Sequence, residues 1–290
     1  MNVAYFPGCS LHGMASEYDL SARLVCKHLG INLQEIEDWN CCGATAAHSL
    51  DHLLNVALGA RNLNIVKEMH LDRVTAPCAG CFNRLKTASY EMRHNPRVAA
   101  EVEKLIIAPA PVEPEVTNLL QLLIEIKGIE AIARQVVKPL KGLKLAAYYG
   151  CLLTRPTKVV EFDASEQPIS LDLLLNALGA ETVIWGHKAE CCGGGYAASE
   201  TNIVLDLGGQ VLDSAHAAGA EAIVVACPMC QINLDSRRGK IEADRGKKYD
   251  MPIIYFTQLM GLAYGYSPRQ LGLSKLLLNP ITLLKSKELV

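Results

Sequence analysis

The sequence predicts an α/β protein built from two pseudo-symmetric βαβ-type halves. Each half is expected to hold a small parallel sheet with cysteine loops at the C-terminal ends of its strands. Three observations carry this. VAYFPGC at 3–9 recurs as LAAYYGC at 145–151, and Leu29-Gly30 recurs as Leu178-Gly179. VTAPCAGC at 74–81 returns as VVACPMC at 224–230. Between these landmarks, short apolar runs alternate with amphipathic stretches of about 12–20 residues, the pattern of βαβ units on a parallel sheet.

In chain order, Asn2 to Phe6 is an apolar strand running into Pro7-Gly8-Cys9. A helix from Ala15 to Leu29 follows, and Gly30 supplies its stop. A second strand leads to the turn Asn40-Cys41-Cys42-Gly43, where glycine suits a sharp reversal. A long helix and a third strand then reach Cys78-Ala79-Gly80-Cys81 and a further helix, closing a first half over 1–95. Residues 96–139 read as a linker and connecting helix. Pro109, Pro111 and Pro114 make Ile107 to Pro114 an extended connector, and Val116 to Gln135 has helical character.

The second half, 140–290, repeats the order. Leu143 to Tyr149 is the strand before Gly150-Cys151, Glu190-Cys191-Cys192-Gly193 is the paired-cysteine turn, and Cys227-Pro228-Met229-Cys230 follows a buried strand. Ser236 to Asp250 is charged and reads as a solvated loop, with docking of a partner as its other role. Ile253 to Leu273 is expected to pack on the core. The apolar tail from Leu276 to Leu284 either packs or is covered by another subunit.

Ten of the eleven cysteines fall into two five-member sets of one internal order, and only Cys26 stands outside them. Loops after parallel strands gather at one sheet edge, so distant cysteines can meet there. Structural disulfides fit poorly: no secretory signal begins the chain, which points to a reducing cytosol, and five is an odd number. Zinc favours four ligands in two short pairs about 12–20 residues apart, so one thiol is surplus. Iron–sulfur clusters recruit grouped thiolates, but an ordinary cluster takes four. The arithmetic alone points to an unusual cluster in each half.

Cys9, Cys41-Cys42 and Cys78-x-x-Cys81 are separated by 31 and 35 residues, and Cys151, Cys191-Cys192 and Cys227-x-x-Cys230 by 39 and 34. This spacing resembles the duplicated cysteine-rich (CCG) domain of the B-type subunits of heterodisulfide reductases, across nearly the whole chain. The resemblance implies two non-cubane [4Fe-4S] clusters. One would be held by Cys9, Cys41, Cys42, Cys78 and Cys81, the other by Cys151, Cys191, Cys192, Cys227 and Cys230. It further implies that a disulfide is reductively split to two thiols between them. Electrons would come from a small ferredoxin-like [4Fe-4S] subunit and a flavin-containing subunit, since the chain has no flavin or nicotinamide fingerprint of its own. The alternatives are an electron-relay subunit of a glycolate- or lactate-type dehydrogenase and a zinc-binding scaffold.

His12, His48 and His187 lie close in sequence to the cysteines and titrate in the range needed to protonate a leaving thiolate. His48 is the favoured donor, and Tyr196 is expected to line the substrate cleft. Gly193-Gly194-Gly195 lacks the Lys-Ser/Thr of a phosphate loop. Cys26 reads as a packing residue. A net charge of −2 and a pI near 6.4 give no basis for nucleic-acid binding. No apolar run approaches the roughly 18 residues of a membrane span, so a cytoplasmic location is expected.

Overall fold

The structure is a computed structural model that describes residues 1–44, 47–106 and 114–290. The first half opens with β1 (Asn2–Tyr5), α1 (Gly8–His12), α2 (Ser16–His28) and β2 (Asn32–Glu35). It continues with α3 (Ala47–Leu50), α4 (His52–Glu68), β3 (Arg73–Ala76) and α5 (Ala79–His94). Next come α6 (Pro96–Leu105), β4 (Glu115–Asn118), α7 (Leu119–Lys127) and α8 (Ile129–Ala133).

The second half runs β5 (Lys144–Tyr148), α9 (Thr157–Val160), α10 (Ser170–Ala177), β6 (Glu181–Thr182), α11 (Thr201–Ala217) and β7 (Ala222–Val225). Then follow α12 (Pro228–Ser236), α13 (Arg238–Arg245), β8 (Ile253–Tyr255), α14 (Phe256–Ala263) and α15 (Ile281–Ser286). Each half folds around a four-stranded sheet, in the orders β2-β1-β3-β4 and β6-β5-β7-β8. Every pairing is parallel. The α/β class and the two similar halves expected from the repeat are what the chain adopts.

Parallel strands covered by helices on both faces read as continuous apolar runs. Val3 to Phe6 and Ala222 to Val225 are accordingly buried along their whole length. Burial of each of the larger side chains among them contributes about 1.5–3 kcal/mol. Helix starts are fixed locally. The Asp51 carboxylate accepts the Leu54 N–H at 2.7 Å to begin α4, and Asn118 accepts the Gln121 N–H at 2.9 Å to begin α7.

Three details depart from the sequence reading. The helical stretch from Val116 is a strand first: β4 pairs with β3 in register from Arg73↔Glu115 to Ala76↔Asn118. Its four residues are too few to show a period-2 pattern, and pairing with β3 overrides the helical signal next door. The helix that follows is split at Gly128, whose φ of 76° interrupts the helical backbone. The charged segment 236–250 is not a solvated loop. It forms α13, and Arg238 is buried there, donating to the Asp235 carboxylate at 2.7 Å and to the carbonyls of Tyr249 and Met251 at 2.9 and 2.8 Å. The Arg238 Nε has no hydrogen-bond partner among the described residues, but an ion pair and two carbonyls hold the rest of the guanidinium, which composition alone does not reveal. The connector expected over Ile107 to Pro114 lies outside the described residues except for Pro114.

β8 and α14 realise the expected closing segment. All eight residues of α14 are buried. This helix packs on α2, so it joins the halves: Tyr18 stacks on Tyr255 with ring centroids 4.2 Å apart, and Ser21 Oγ lies 2.7 Å from Thr257 Oγ1. The tail packs as well, with Leu276 and Leu284 buried.

Candidate functional site

The cysteines take their positions from strand ends and helix starts. Cys78 is the N-cap of α5 and Cys81 lies in its first turn; Cys227 and Cys230 hold the same places on α12. The partial positive charge of a helix N-terminus favours thiolate there. The paired cysteines sit in turns closed by Gly43 (φ 84°) and Gly193 (φ 78°), a backbone region open to glycine. Each of these glycines donates its N–H to the first sulfur of its pair, Gly43 to Cys41 at 3.4 Å and Gly193 to Cys191 at 3.3 Å.

Gly8 and Gly150 are required for a different reason. A Cβ on Gly8 would stand 2.9 Å from Cys81 Sγ, and one on Gly150 would stand 3.0 Å from Cys230 Sγ. Both β1 and β5 therefore lead into a glycine that leaves room for sulfur. None of the eleven cysteines is in a disulfide.

The two sets are not separate. Cys42 Sγ lies 3.2 Å from Cys81 Sγ and Cys192 Sγ lies 3.7 Å from Cys230 Sγ. Cys81 also contacts Cys78, Cys230 contacts Cys227, and Cys78 contacts Cys227 across the junction of the halves. With Cys41 against Cys42, an unbroken run of seven thiols crosses the molecule. Proton sharing along it splits their acidities. Cys42 is held well below the usual thiol range because Cys41 and Cys81 donate to it. Cys227 is likewise lowered by Cys230 and Cys78. The donors Cys81 and Cys230 are raised correspondingly. Cys151 and Cys191 form a separate donor–acceptor pair in which Cys191 is the lowered member. Among the described residues no group of three or more His, Cys, Asp or Glu is gathered about a single metal-ion position. The thiols are spread along the junction instead, as ligands to a multi-atom cluster would be.

Beside this run lies a narrow cleft. Its walls are Ala79 and Gly80 from the first half and Tyr149, Cys151, Leu152, Met229 and the other cysteines of the second set. Tyr149 is braced from behind: its hydroxyl donates to Asp172 at 2.7 Å, and Asp172 in turn accepts from the buried Lys188 ammonium at 2.9 Å. The carbonyl of Lys188 accepts the Tyr149 and Gly150 N–H groups, which fixes the loop entering Cys151.

The other sequence candidates lie further out. His48 is exposed on α3, with Nε2 3.3 Å from Ser49 Oγ. His12 Nε2 is 2.8 Å from Glu35 Oε1 and packs edge-on against Trp39. His187 is half-buried, and its Nδ1 has no hydrogen-bond partner among the described residues. Tyr196 ends a short 3-10 turn over Gly194–Tyr196 and is 48% exposed; the cleft wall is formed by Gly194 and Gly195 before it. Sequence reasoning passed over Tyr149. Its signal was the repeat itself, which sets Tyr149 opposite Pro7.

The CCG cysteine-rich domain matches residues 3–86 and again 145–235. The chain belongs to this duplicated CCG family. Over 93% of its length this CCG protein is 33% identical to the 8-methylmenaquinol:fumarate reductase membrane anchor subunit of Wolinella succinogenes, covering 95% of that protein. Over 94% of its length it is 30% identical to the B-type subunit of the ferredoxin:CoB-CoM heterodisulfide reductase of Methanosarcina mazei, covering 92% of that protein. The resemblance to the B-type subunits of heterodisulfide reductases therefore holds beyond the cysteines. In fold it is similar to a hypothetical protein from Helicobacter pylori, with a TM-score of 0.75 at 13% identity over 94% of this chain and 51% of that one. This CCG protein thus spans about half of that structure's chain. Among its described residues no helix is long and apolar enough to cross a membrane.

Proposed function

We propose that this CCG protein is the iron–sulfur subunit that reductively cleaves a disulfide to two thiols, between two non-cubane [4Fe-4S] clusters. Cys9, Cys41, Cys42, Cys78 and Cys81 hold one cluster; Cys151, Cys191, Cys192, Cys227 and Cys230 hold the other. When bound, the clusters supply electrons singly, so two together meet the two-electron demand of one S–S bond. The observation that carries this reading is the run of thiol contacts joining the two sets beside one cleft. The donor set is chemically suited to such clusters: soft sulfur ligands, glycine N–H groups aimed at two of them, and glycines where a Cβ would fill the space.

The chain's own residues do the rest. Ala79, Gly80, Leu152 and Met229 exclude water from the bond being broken, and Tyr149 holds the wall at Cys151. The two thiolates formed take up two protons. His48, on the segment after the first paired-cysteine turn and facing solvent, takes those protons from water, and Tyr196 stands at the rim of the cleft next to Gly194 and Gly195. A ferredoxin-like [4Fe-4S] subunit and a flavin-containing subunit deliver the electrons, in the cytoplasm.

The test is cleavage of the mixed disulfide of coenzyme M and coenzyme B, driven by a chemical reductant without air. The wild type, carrying about eight irons, is compared with Cys42→Ala and Cys192→Ala, each checked for the cluster of its other half. Loss of cleavage in both variants supports the reading. One similarity favours a second reading, an electron relay: the Wolinella relative is named for a quinol:fumarate reductase. Full cleavage in either variant would establish a relay. Stoichiometric zinc without sulfide would leave a scaffold.

A further inference from the structure

The internal repeat allows each residue around one cysteine set to be compared with its counterpart around the other. Several counterparts differ in charge; Asp38 and Lys188 are each held in an ion pair, as is Asp235, the counterpart of Lys86, and two further differences lie closest to the cysteines. Three residues after Cys81 stands Arg84, and three residues after Cys230 stands Asn233. Immediately before Cys41 stands Asn40, and immediately before Cys191 stands Glu190.

Arg84 lies one helical turn beyond Cys81 on α5, on the face that Cys81 shares with Cys42 across 3.2 Å. It is half-buried, its Nη2 donates to Asn83 Oδ1 at 2.5 Å, and it pairs with no carboxylate among the described residues. Its counterpart Asn233 is buried and neutral, and donates to the Cys192 carbonyl at 2.5 Å. His12 faces Glu35 and Lys188 is paired with Asp172, while Arg237 donates to the Ala197 carbonyl beyond the second paired-cysteine turn. In the immediate sequence neighbourhood of the cysteines, Arg84 is the cation beside the first set and Glu190 the carboxylate beside the second.

We propose that the two sites have unequal reduction potentials, the first-half site being the more oxidising, and that Arg84 and Glu190 set the difference. This deepens the proposed function and rests on its reading of one cluster per set. Reduction adds negative charge, which a nearby cation stabilises and a nearby carboxylate opposes. Solvent acts in the same direction, since Cys9 and Cys41 are exposed while Cys151 and Cys191 are half-buried. Glu190 faces water and is screened, so Arg84 contributes the larger share.

The experiment is an anaerobic redox titration of the iron-loaded protein, followed by electron paramagnetic resonance. Signals are assigned to halves with Cys42→Ala and Cys192→Ala. The first-half signal is expected at the higher potential. Arg84→Gln should move it downward and leave the second-half signal in place, and Arg84→Lys should restore most of the shift. Glu190→Gln should move only the second-half signal, upward and by less. Iron for fewer than two clusters would overturn the two-cluster reading and this proposal with it. Two clusters that titrate together in the wild type would overturn only the tuning. So would an unmoved first-half signal in an Arg84→Gln protein that keeps its iron. Should Arg84→Gln lose its cluster, an unmoved second-half signal in Glu190→Gln overturns the assignment.

Discussion

At the scale of single residues, Cys26 shows what separates a packing thiol from those that line the junction. It lies on α2 with no exposed surface, away from the other sulfurs, and burial pushes its pKa from an ordinary 9.0 up to about 12. The thiol stays protonated and unreactive at neutral pH. Its folded-state pKa is raised, so the folded chain holds that proton more firmly than the unfolded chain does. The associated stability is fully present below about pH 9 and is lost as pH rises toward about 12. We predict that the stability difference between wild type and Cys26→Ala falls between pH 8.5 and 10.5, by at most about 1.4 kcal/mol per pH unit. Urea unfolding at several pH values measures it, and a difference independent of pH would contradict the assignment. The same residue should resist alkylation in the native protein while reacting once the chain is unfolded.

Among the elements, α12 and α13 show how much of the site was legible and how much was not. The strand before Cys227 and the helix after Cys230 follow from apolar runs and from the repeat, and both were readable. The ion pair behind them was not. Asp235 and Arg238 look like two more charges in a charged stretch, and only the fold reveals that Asp235 also accepts the N–H of Leu277 from the tail at 3.0 Å. That cysteines far apart in sequence would meet was legible because strand-end loops share a sheet edge, as the run of seven thiols does here. The wall residue Tyr149 and the counterparts Arg84 and Asn233 were not, since their meaning lies in what faces them. Strand β4 escaped notice because four residues carry no period of their own. Removing one member of the Asp235–Arg238 pair strands the other in a dry environment, at a cost of about 3–5 kcal/mol. Arg238→Ala should therefore lower the unfolding midpoint sharply, and Arg238→Ala with Asp235→Leu should regain part of the loss. Equal stability of the single variant and the wild type would remove this pair from the account of how α12 is held.

For the whole molecule, the question is whether the halves unfold together. Tyr18 of the first half is fully buried, stacks on Tyr255 of the second, and donates to the Ala226 carbonyl at 3.3 Å, one residue before Cys227. The two tryptophans of the chain, Trp39 and Trp185, fall one in each half and can report on the halves separately. Denaturant curves from Trp39→Phe and Trp185→Phe proteins should coincide, as for one cooperative unit. Tyr18→Ala, at a cost of about 3–5 kcal/mol, should pull them apart. Curves already separate before that change would mean that the halves are energetically independent.

Cys78 touches Cys227, which is its own counterpart in the repeat. Contact of a residue with its own copy is what a two-fold pairing of identical units produces. Two identical chains meeting there would present the same wall twice, and a molecule with unlike ends would settle either way round with equal ease. Carrying both walls in one chain removes that degeneracy. Arg84 has no arginine opposite it and Pro7 has no proline opposite it, so the direction in which a guest lies becomes something the sequence can inherit and selection can act on.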